Sequence, residues 1–235
     1  MPSLDRTVVA ALGDSTTAGT PLFTSPVEAP PHGEGDATAP FPYWLMQAHP
    51  EWDVRNLGVN GERTDQIRAR WDHDVAPLKP AAVIILAGVN DVYQGRSIDH
   101  VTTQLRAMYD LAAGAGIPVV AGSIVPYNTA TPEQNAKMRA INDWIRAEAA
   151  RDANITFADT RAAAARDDDP DMLRGSPDGL HPDKDGYRRM AEVIAPVVRL
   201  KIKDQRKIDD GVSPSLIFDL ASLILTRRTS PSTSP

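Results

Sequence analysis

The chain alternates short apolar runs with longer segments in which apolar residues recur at helical spacing. The apolar runs predict five strands: Thr7–Leu12, Asp53–Leu57, Ala82–Ala87, Pro118–Ala121 and Ile155–Ala158. Most of them are continuously apolar, as expected for strands that are covered on both faces. The helical segments predict five helices: Phe41–Ala48, Thr64–Val75, Ile98–Ala115, Pro132–Asp152 and Asp185–Leu200. Strands and helices in alternation predict a parallel sheet in a doubly wound α/β layer.

One segment near the start departs from this alternation. Residues Pro21–Pro42 are rich in proline, glycine and acidic side chains, and they show neither a strand period nor a helical period. Loops of this length are uncommon and often functional. Two interpretations are open: a cover over a site near Ser15, or a surface insertion without a role.

A second departure begins after the last predicted helix. We expect a catalytic domain over residues 1–200 and a C-terminal extension over residues 201–235. The extension holds apolar residues at helical spacing, which predict a short amphipathic helix: Leu216, Ile217, Leu220, Leu223 and Ile224. The tail Thr229–Pro235 has the composition of a disordered segment. The apolar stripe predicts docking on its own domain or on a partner subunit, so residues 215–226 are a candidate surface for a homo-oligomer.

Composition and charge narrow the range of functions. The chain has 235 residues, a net charge of −6 and no cysteine. Nucleic acid and stable membrane association are therefore not expected, and thiolate chemistry is excluded. The N-terminus lacks the apolar core of a signal peptide, which predicts a cytoplasmic protein unless a leader has been removed.

The first candidate for chemistry is Ser15, which follows the first predicted strand. The carboxyl edge of an open parallel sheet is where ligands bind, and Gly13 permits a sharp turn there. A serine hydroxyl needs a base before it can act as a nucleophile. A lone Gly-Asp-Ser would more often be a helix cap, and the neighbouring hydroxyls of Thr16 and Thr17 compete for the role.

His181 is the best candidate for that base. It lies in a loop before the last predicted helix, and Asp178 stands three residues earlier, where a short turn brings its carboxylate to the imidazole. Asp159, which follows the fifth strand, is the competing orienting group. His73 stands between two aspartates, but the spacing indicates a helix surface, and no metal site is expected.

Two further residues offer hydrogen bonds to an oxyanion. Gly61 can present its backbone N–H and Asn90 its side-chain amide, and both follow strands that should end beside Ser15. The Ser15 N–H would be the third donor. In isolation, Gly61 would be a turn glycine and Asn90 a helix cap.

Four blocks of this chain resemble those of the SGNH hydrolases, also called GDSL-type esterases and lipases. They are Val9–Gly19, Asn56–Thr64, Leu86–Asp91 and Asp178–Pro182. The resemblance extends from Val8 to about Val198, and Thr16 replaces the leucine of the nominal motif.

The resemblance has implications for fold and site. It implies a flavodoxin-like three-layer α/β/α sandwich with a five-stranded parallel sheet and no cofactor. It also implies that Ser15 is the nucleophile, His181 the base and Asp178 its orienting group. Ser15, Gly61 and Asn90 would form the oxyanion hole.

The function expected from these residues is hydrolysis of small-molecule carboxylic esters, with short acyl chains, through an acyl-enzyme intermediate. The alternatives within enzymes are a carbohydrate O-acetyl esterase, a thioesterase and a lysophospholipase. Four aromatic residues are candidates for stacking on a sugar: Trp44, Trp71, Tyr93 and Tyr127. A non-catalytic binding module is the alternative from another class. A flavin or nucleotide binder is disfavoured because no Gly-x-Gly-x-x-Gly follows the first strand.

Overall fold

The computed structural model describes residues 6–209. Seven strands are present in this part of the chain: β1 Thr7–Gly13, β2 Phe23–Thr24, β3 Glu34–Gly35, β4 Trp52–Gly58, β5 Ala82–Leu86, β6 Val119–Gly122 and β7 Ile155–Ala158. Five of them form a parallel sheet in the order β4-β1-β5-β6-β7, and β2 and β3 form a small antiparallel hairpin.

Helices cover both faces of the five-stranded sheet. They are α1 Ser15–Ala18, α2 Phe41–Ala48, α3 Thr64–Ala69, α4 Trp71–Asp74, α5 Val89–Tyr93, α6 Ile98–Gly114, α7 Pro132–Arg151, α8 Thr160–Ala164 and α9 Lys184–Asp209. One apolar core lies between the sheet and α3, α6 and α7, and a second lies between the sheet and α2 and α9. The predicted three-layer α/β/α sandwich with a five-stranded parallel sheet is therefore confirmed.

The start of α7 illustrates how local sequence sets a helix boundary. Thr131 accepts a hydrogen bond from the Gln134 N–H, and the Gln134 side chain accepts one from the Thr131 N–H. Pro132 occupies the first helical position, where its missing N–H costs nothing. These residues explain why the helix begins where the pattern predicts.

Two predicted helices differ from the structure. The segment Thr64–Val75 is not one helix, because ψ rises to −4° at Arg70 and its N–H donates to the Ile67 carbonyl oxygen three residues back, which separates α3 from α4. The last helix continues past Leu200 to Asp209. The predicted amphipathic helix at residues 215–226 and the tail lie outside the described residues, so the division at Leu200 remains a prediction.

The segment Pro21–Pro42 is largely a loop, as predicted, apart from the β2–β3 hairpin and the first turn of α2. Between residues 6 and 209, none of the helices combines the length and the apolar character that a bilayer span requires.

Candidate active site

Ser15 lies at the point where three neighbouring strands end. The register pairs Gly13 at the end of β1 with Gly58 on β4 and with Leu86 on β5. A Cβ at Gly13 would stand 2.3 Å from the Leu86 carbonyl oxygen, so only glycine permits this approach. The chain then turns directly into α1, and Ser15 is the first residue of that helix.

Ser15, His181 and Asp178 form a continuous chain of hydrogen bonds. The Ser15 Oγ lies 2.9 Å from His181 Nε2, and His181 Nδ1 lies 2.7 Å from Asp178 Oδ2. The other carboxylate oxygen of Asp178 accepts the N–H groups of Leu180 and His181, each at 2.9 Å. The turn predicted from the Asp178–His181 spacing therefore fixes the carboxylate and the imidazole relative to each other.

The competing orienting group lies elsewhere. Asp159 accepts hydrogen bonds from the Ser123 hydroxyl and the Ala162 N–H, and it pairs with Arg146. It caps the N-terminus of α8, and His181 is not among the residues to which it is hydrogen-bonded in the described part of the chain. The preference for Asp178 over Asp159 is consistent with this geometry.

Burial and hydrogen bonding act in opposite directions on the two carboxyl groups beside the nucleophile. Burial works to raise the pKa of Asp178, but the hydrogen bonds from His181 and the backbone outweigh it and hold that pKa below its ordinary value. Burial raises the pKa of Asp14 to about 7, against the lowering effect of its hydrogen bond from the Thr16 N–H. Asp178 is thus ionised where a histidine base needs an anionic partner.

The three predicted oxyanion donors border the same cleft. Within residues 6–209, no acceptor is bonded to the N–H of Ser15 or of Gly61. Gly61 has φ +74°, a conformation that favours glycine, and a Cβ there would meet no atom within 4 Å. Asn90 donates one amide hydrogen to the Glu62 carbonyl oxygen at 3.0 Å, which leaves its second hydrogen for a ligand.

The loop that carries Gly61 is held by side chains that the sequence pattern did not identify. The Arg70 guanidinium pairs with the Glu62 carboxylate at 2.7 Å and donates to the Leu57 carbonyl oxygen at 3.0 Å. Asp91 is fully buried and accepts both the N–H and the hydroxyl of Thr64 at 2.8 Å. The only sequence signal for Asp91 was its place directly after Asn90.

The cleft above Ser15 has a volume of about 240 Å³. It is lined by Ser15, Thr16, Thr20, Asn60, Gly61, Val89, Asn90, Tyr93, Tyr127, Leu180 and His181. Of the four candidate aromatic residues, only Tyr93 and Tyr127 line it. Trp71 is buried in the core beside α3, α6 and α7, whereas Trp44 is partly buried against the other core, beside α2 and α9. No residue of Pro21–Pro42 lines the cleft, so that segment does not cover the site in this structure.

Tyr93 and Tyr127 differ in environment. Their rings meet edge to face, with centroids 5.9 Å apart. Tyr93 is 59% exposed, whereas Tyr127 is buried and its hydroxyl has no hydrogen-bond partner among the described residues. Burial is the main reason why the pKa of Tyr127 is raised to about 12, and the nearby Tyr93 adds a smaller effect. This hydroxyl therefore stays protonated.

One group in the described part of the chain brings three potential metal-ligand atoms within 4.8 Å of one another: Asp65, Asp91 and His100. Both oxygens of Asp65 accept hydrogen bonds from Arg63, and both oxygens of Asp91 accept them from Thr64. These existing bonds, and the positive charge of Arg63, do not favour a cation there. His73, the histidine flanked by aspartates, is exposed and pairs with its neighbour Asp74.

The chain is similar to known proteins over more than half of its length. The model of the GDSL-like lipase/acylhydrolase family matches residues 11–189. An acetylxylan esterase from Geobacillus stearothermophilus is 30% identical over 158 residues, which are 57% of this chain and 70% of that protein.

Solved structures show the same fold. A lipolytic protein of the G-D-S-L family from Desulfitobacterium hafniense is 26% identical, with a TM-score of 0.67 over 82% of this chain and 99% of that one. A mutant of Axe2, an acetyl-xylooligosaccharide esterase from Geobacillus, is 22% identical, with a TM-score of 0.63 over 83% of this chain and 95% of that one.

Proposed function

The chain belongs to the GDSL-like lipase/acylhydrolase family and is an ester hydrolase, and from this premise we propose that it cleaves esters of short acyl groups through an acyl-enzyme formed on Ser15. The observation that supports the proposal most directly is the hydrogen-bonded chain from Asp178 through His181 to the Ser15 hydroxyl, at 2.7 Å and 2.9 Å.

In the first half of the proposed reaction, His181 Nε2 takes the proton of the Ser15 hydroxyl as Oγ attacks the ester carbonyl carbon. The carbonyl oxygen becomes an oxyanion, which receives hydrogen bonds from the N–H groups of Ser15 and Gly61 and from the Asn90 amide. The bond to the alcohol oxygen then breaks, and the His181 imidazolium gives its proton to the leaving alcohol. The acyl group remains on Ser15.

In the second half, a water molecule takes the place of the alcohol. His181 removes a proton from that water as its oxygen attacks the acyl carbon, and the same oxyanion donors act again. Collapse of the intermediate releases the carboxylic acid and returns the proton to Ser15. Asp178 stays ionised throughout and stabilises the imidazolium in both halves.

The size of the cleft supports short acyl groups. Its volume of about 240 Å³ is below the range of roughly 300–1,000 Å³ that is typical of sites for drug-sized ligands. Val89 and Leu180 supply an apolar wall for a few methyl or methylene groups. A long acyl chain, as in a lysophospholipid, would extend beyond it.

The test is the variant Ser15→Ala, assayed on chromogenic acetyl, butyryl and octanoyl esters. We expect activity in the wild type to decline from acetyl to octanoyl, and we expect Ser15→Ala to lose turnover of all three while its thermal unfolding is unchanged. A fluorophosphonate probe should label wild-type Ser15, whereas a non-catalytic binding module would not react. Near-native activity in Ser15→Ala would refute the proposal.

A second candidate is a carbohydrate O-acetyl esterase. It is supported by the acetylxylan esterase relative and by the exposed ring of Tyr93 at the cleft, since an aromatic face can pack against a sugar ring. Release of acetate from acetylated xylo-oligosaccharides should then exceed release from a simple alkyl acetate, and Tyr93→Ala should remove that preference.

A further inference from the structure

The segment that follows Ser15 makes direct hydrogen bonds to the loop that carries Gly61. The Ser25 hydroxyl donates to the Gly58 carbonyl oxygen at 2.5 Å, and the Thr20 hydroxyl donates to Asn60 Oδ1 at 2.5 Å. The Asn60 N–H donates to Glu28 Oε2 at 3.0 Å. These bonds join residues that are 32 to 40 positions apart in the chain.

Of these three bonds, the one to Glu28 is made by the backbone of the residue that directly precedes the oxyanion donor. Asn60 immediately precedes Gly61, so the peptide unit that ends in the Gly61 N–H begins at Asn60. Gly61 has no side chain, and the space where its Cβ would lie is open, so no packing of its own holds this peptide. Its orientation therefore depends on the bonds made by its two neighbours, Asn60 and Glu62.

On the far side of Gly61, the anchors belong to the main body of the fold. The Glu62 carbonyl oxygen accepts from Asn90, and the Glu62 carboxylate pairs with Arg70. On the near side, the backbone anchor of Asn60 is the Glu28 carboxylate. An oxyanion donor is most effective when its direction is set before the charge develops, so an anchor on each side of Gly61 favours catalysis.

The segment that carries Glu28 is itself tied to the first turns of α9. Tyr187 donates its hydroxyl to the Thr20 carbonyl oxygen at 2.6 Å, and Lys184 pairs with Asp36 at 2.9 Å. Lys184 follows His181 by three residues and Tyr187 follows it by six. The segment is thus fixed to the same part of the chain that presents the base.

We propose that Glu28 is a positioning residue: by accepting the Asn60 N–H, it directs the Gly61 N–H toward the oxyanion. This inference rests on the proposed function. Glu28 does not line the cleft and touches no reacting atom. The role assigned to Pro21–Pro42 is therefore to support the oxyanion hole from the side, rather than to cover it.

The experiment compares Glu28→Ala, which removes the acceptor, with Glu28→Gln, which keeps an acceptor oxygen and removes the charge. Glu34→Ala is the matched control, since Glu34 is an exposed glutamate of the same segment. With phenyl acetate, we expect kcat of Glu28→Ala to fall about tenfold at nearly constant KM, as a partly misdirected donor requires. Glu28→Gln and Glu34→Ala should stay within about twofold of wild type, and all three should unfold at the wild-type temperature.

Each outcome has a defined meaning. A wild-type kcat in Glu28→Ala overturns the positioning role while leaving the proposed function intact, provided that Ser15→Ala is inactive. An equal loss in Glu28→Ala and Glu28→Gln assigns the effect to the charge and also overturns the inference. Activity in Ser15→Ala refutes the proposed function itself, so the two failures are distinguishable.

Discussion

Replacement of Asp178 by asparagine is the sharpest test of the triad, because the structure dictates which way the new amide must face. In the wild type, Asp178 Oδ1 accepts two backbone N–H groups, from Leu180 and His181, and Oδ2 accepts His181 Nδ1. An asparagine that keeps this position must point its oxygen at the two backbone donors. Its NH2 group then faces the imidazole.

This orientation changes the tautomer of the histidine. An NH2 group can only donate, so His181 Nδ1 must accept, and the proton of the neutral ring moves to Nε2. Nε2 lies 2.9 Å from the Ser15 Oγ, where it would then donate a hydrogen bond and could no longer take the serine proton. The anionic partner of the imidazolium is lost as well. From the analogous substitution in serine proteases, we expect kcat to fall about 10⁴-fold, or roughly 5 kcal/mol.

The assay is steady-state hydrolysis of an aryl acetate near neutral pH, with thermal unfolding measured in parallel. KM should change little, because the substitution leaves the cleft unaltered. Asp159→Asn is the matched control: it lies after a strand at the same edge of the sheet, and asparagine also caps helices well, so its kcat should stay within about twofold of wild type. A loss below about tenfold in folded Asp178→Asn, or an equal loss in Asp159→Asn, would refute the tautomer argument.

Three further predictions concern single groups near the site. Asn90→Ala should lower kcat by about 10²–10³ at constant KM, because it removes an oxyanion donor, and an unchanged rate would remove Asn90 from that role. Burial raises the pKa of Asp14 to about 7 from 3.8, so the native state holds a proton that the unfolded chain has lost. Between about pH 4 and about pH 7, the free energy of unfolding of the wild type should therefore fall relative to that of Asp14→Asn, by on the order of 4 kcal/mol at most. The same pH dependence of this free energy in both proteins, measured by urea unfolding, would contradict the prediction. Tyr127→Phe removes a buried hydroxyl that has no partner within residues 6–209, so its free energy of unfolding in urea should stay equal or rise by about 1 kcal/mol, and a clear decrease would reveal a partner.

Much of the fold follows from the sequence because its signals are local. The run Ile155–Ala158 predicts β7 with the observed bounds, and the capping pair Thr131 and Gln134 defines the start of α7. The site residues could be predicted from the sequence for a related reason. In a parallel sheet, neighbouring strands end at the same edge, so Ser15, Gly61 and Asn90, which all follow strands, come together once the strand order is set.

The amino-acid sequence by itself determined the parallel sheet, its covering helices and the residues that meet at Ser15, since strand period, helix period and caps act over a few neighbouring positions. Only the tertiary structure decided what holds the oxyanion loop in place. Asp91 reaches Thr64 across 27 positions and Glu28 reaches Asn60 across 32, and no periodic pattern links such pairs. Each of these bonds exists only because the packing of distant segments brings a donor within about 3 Å of an acceptor.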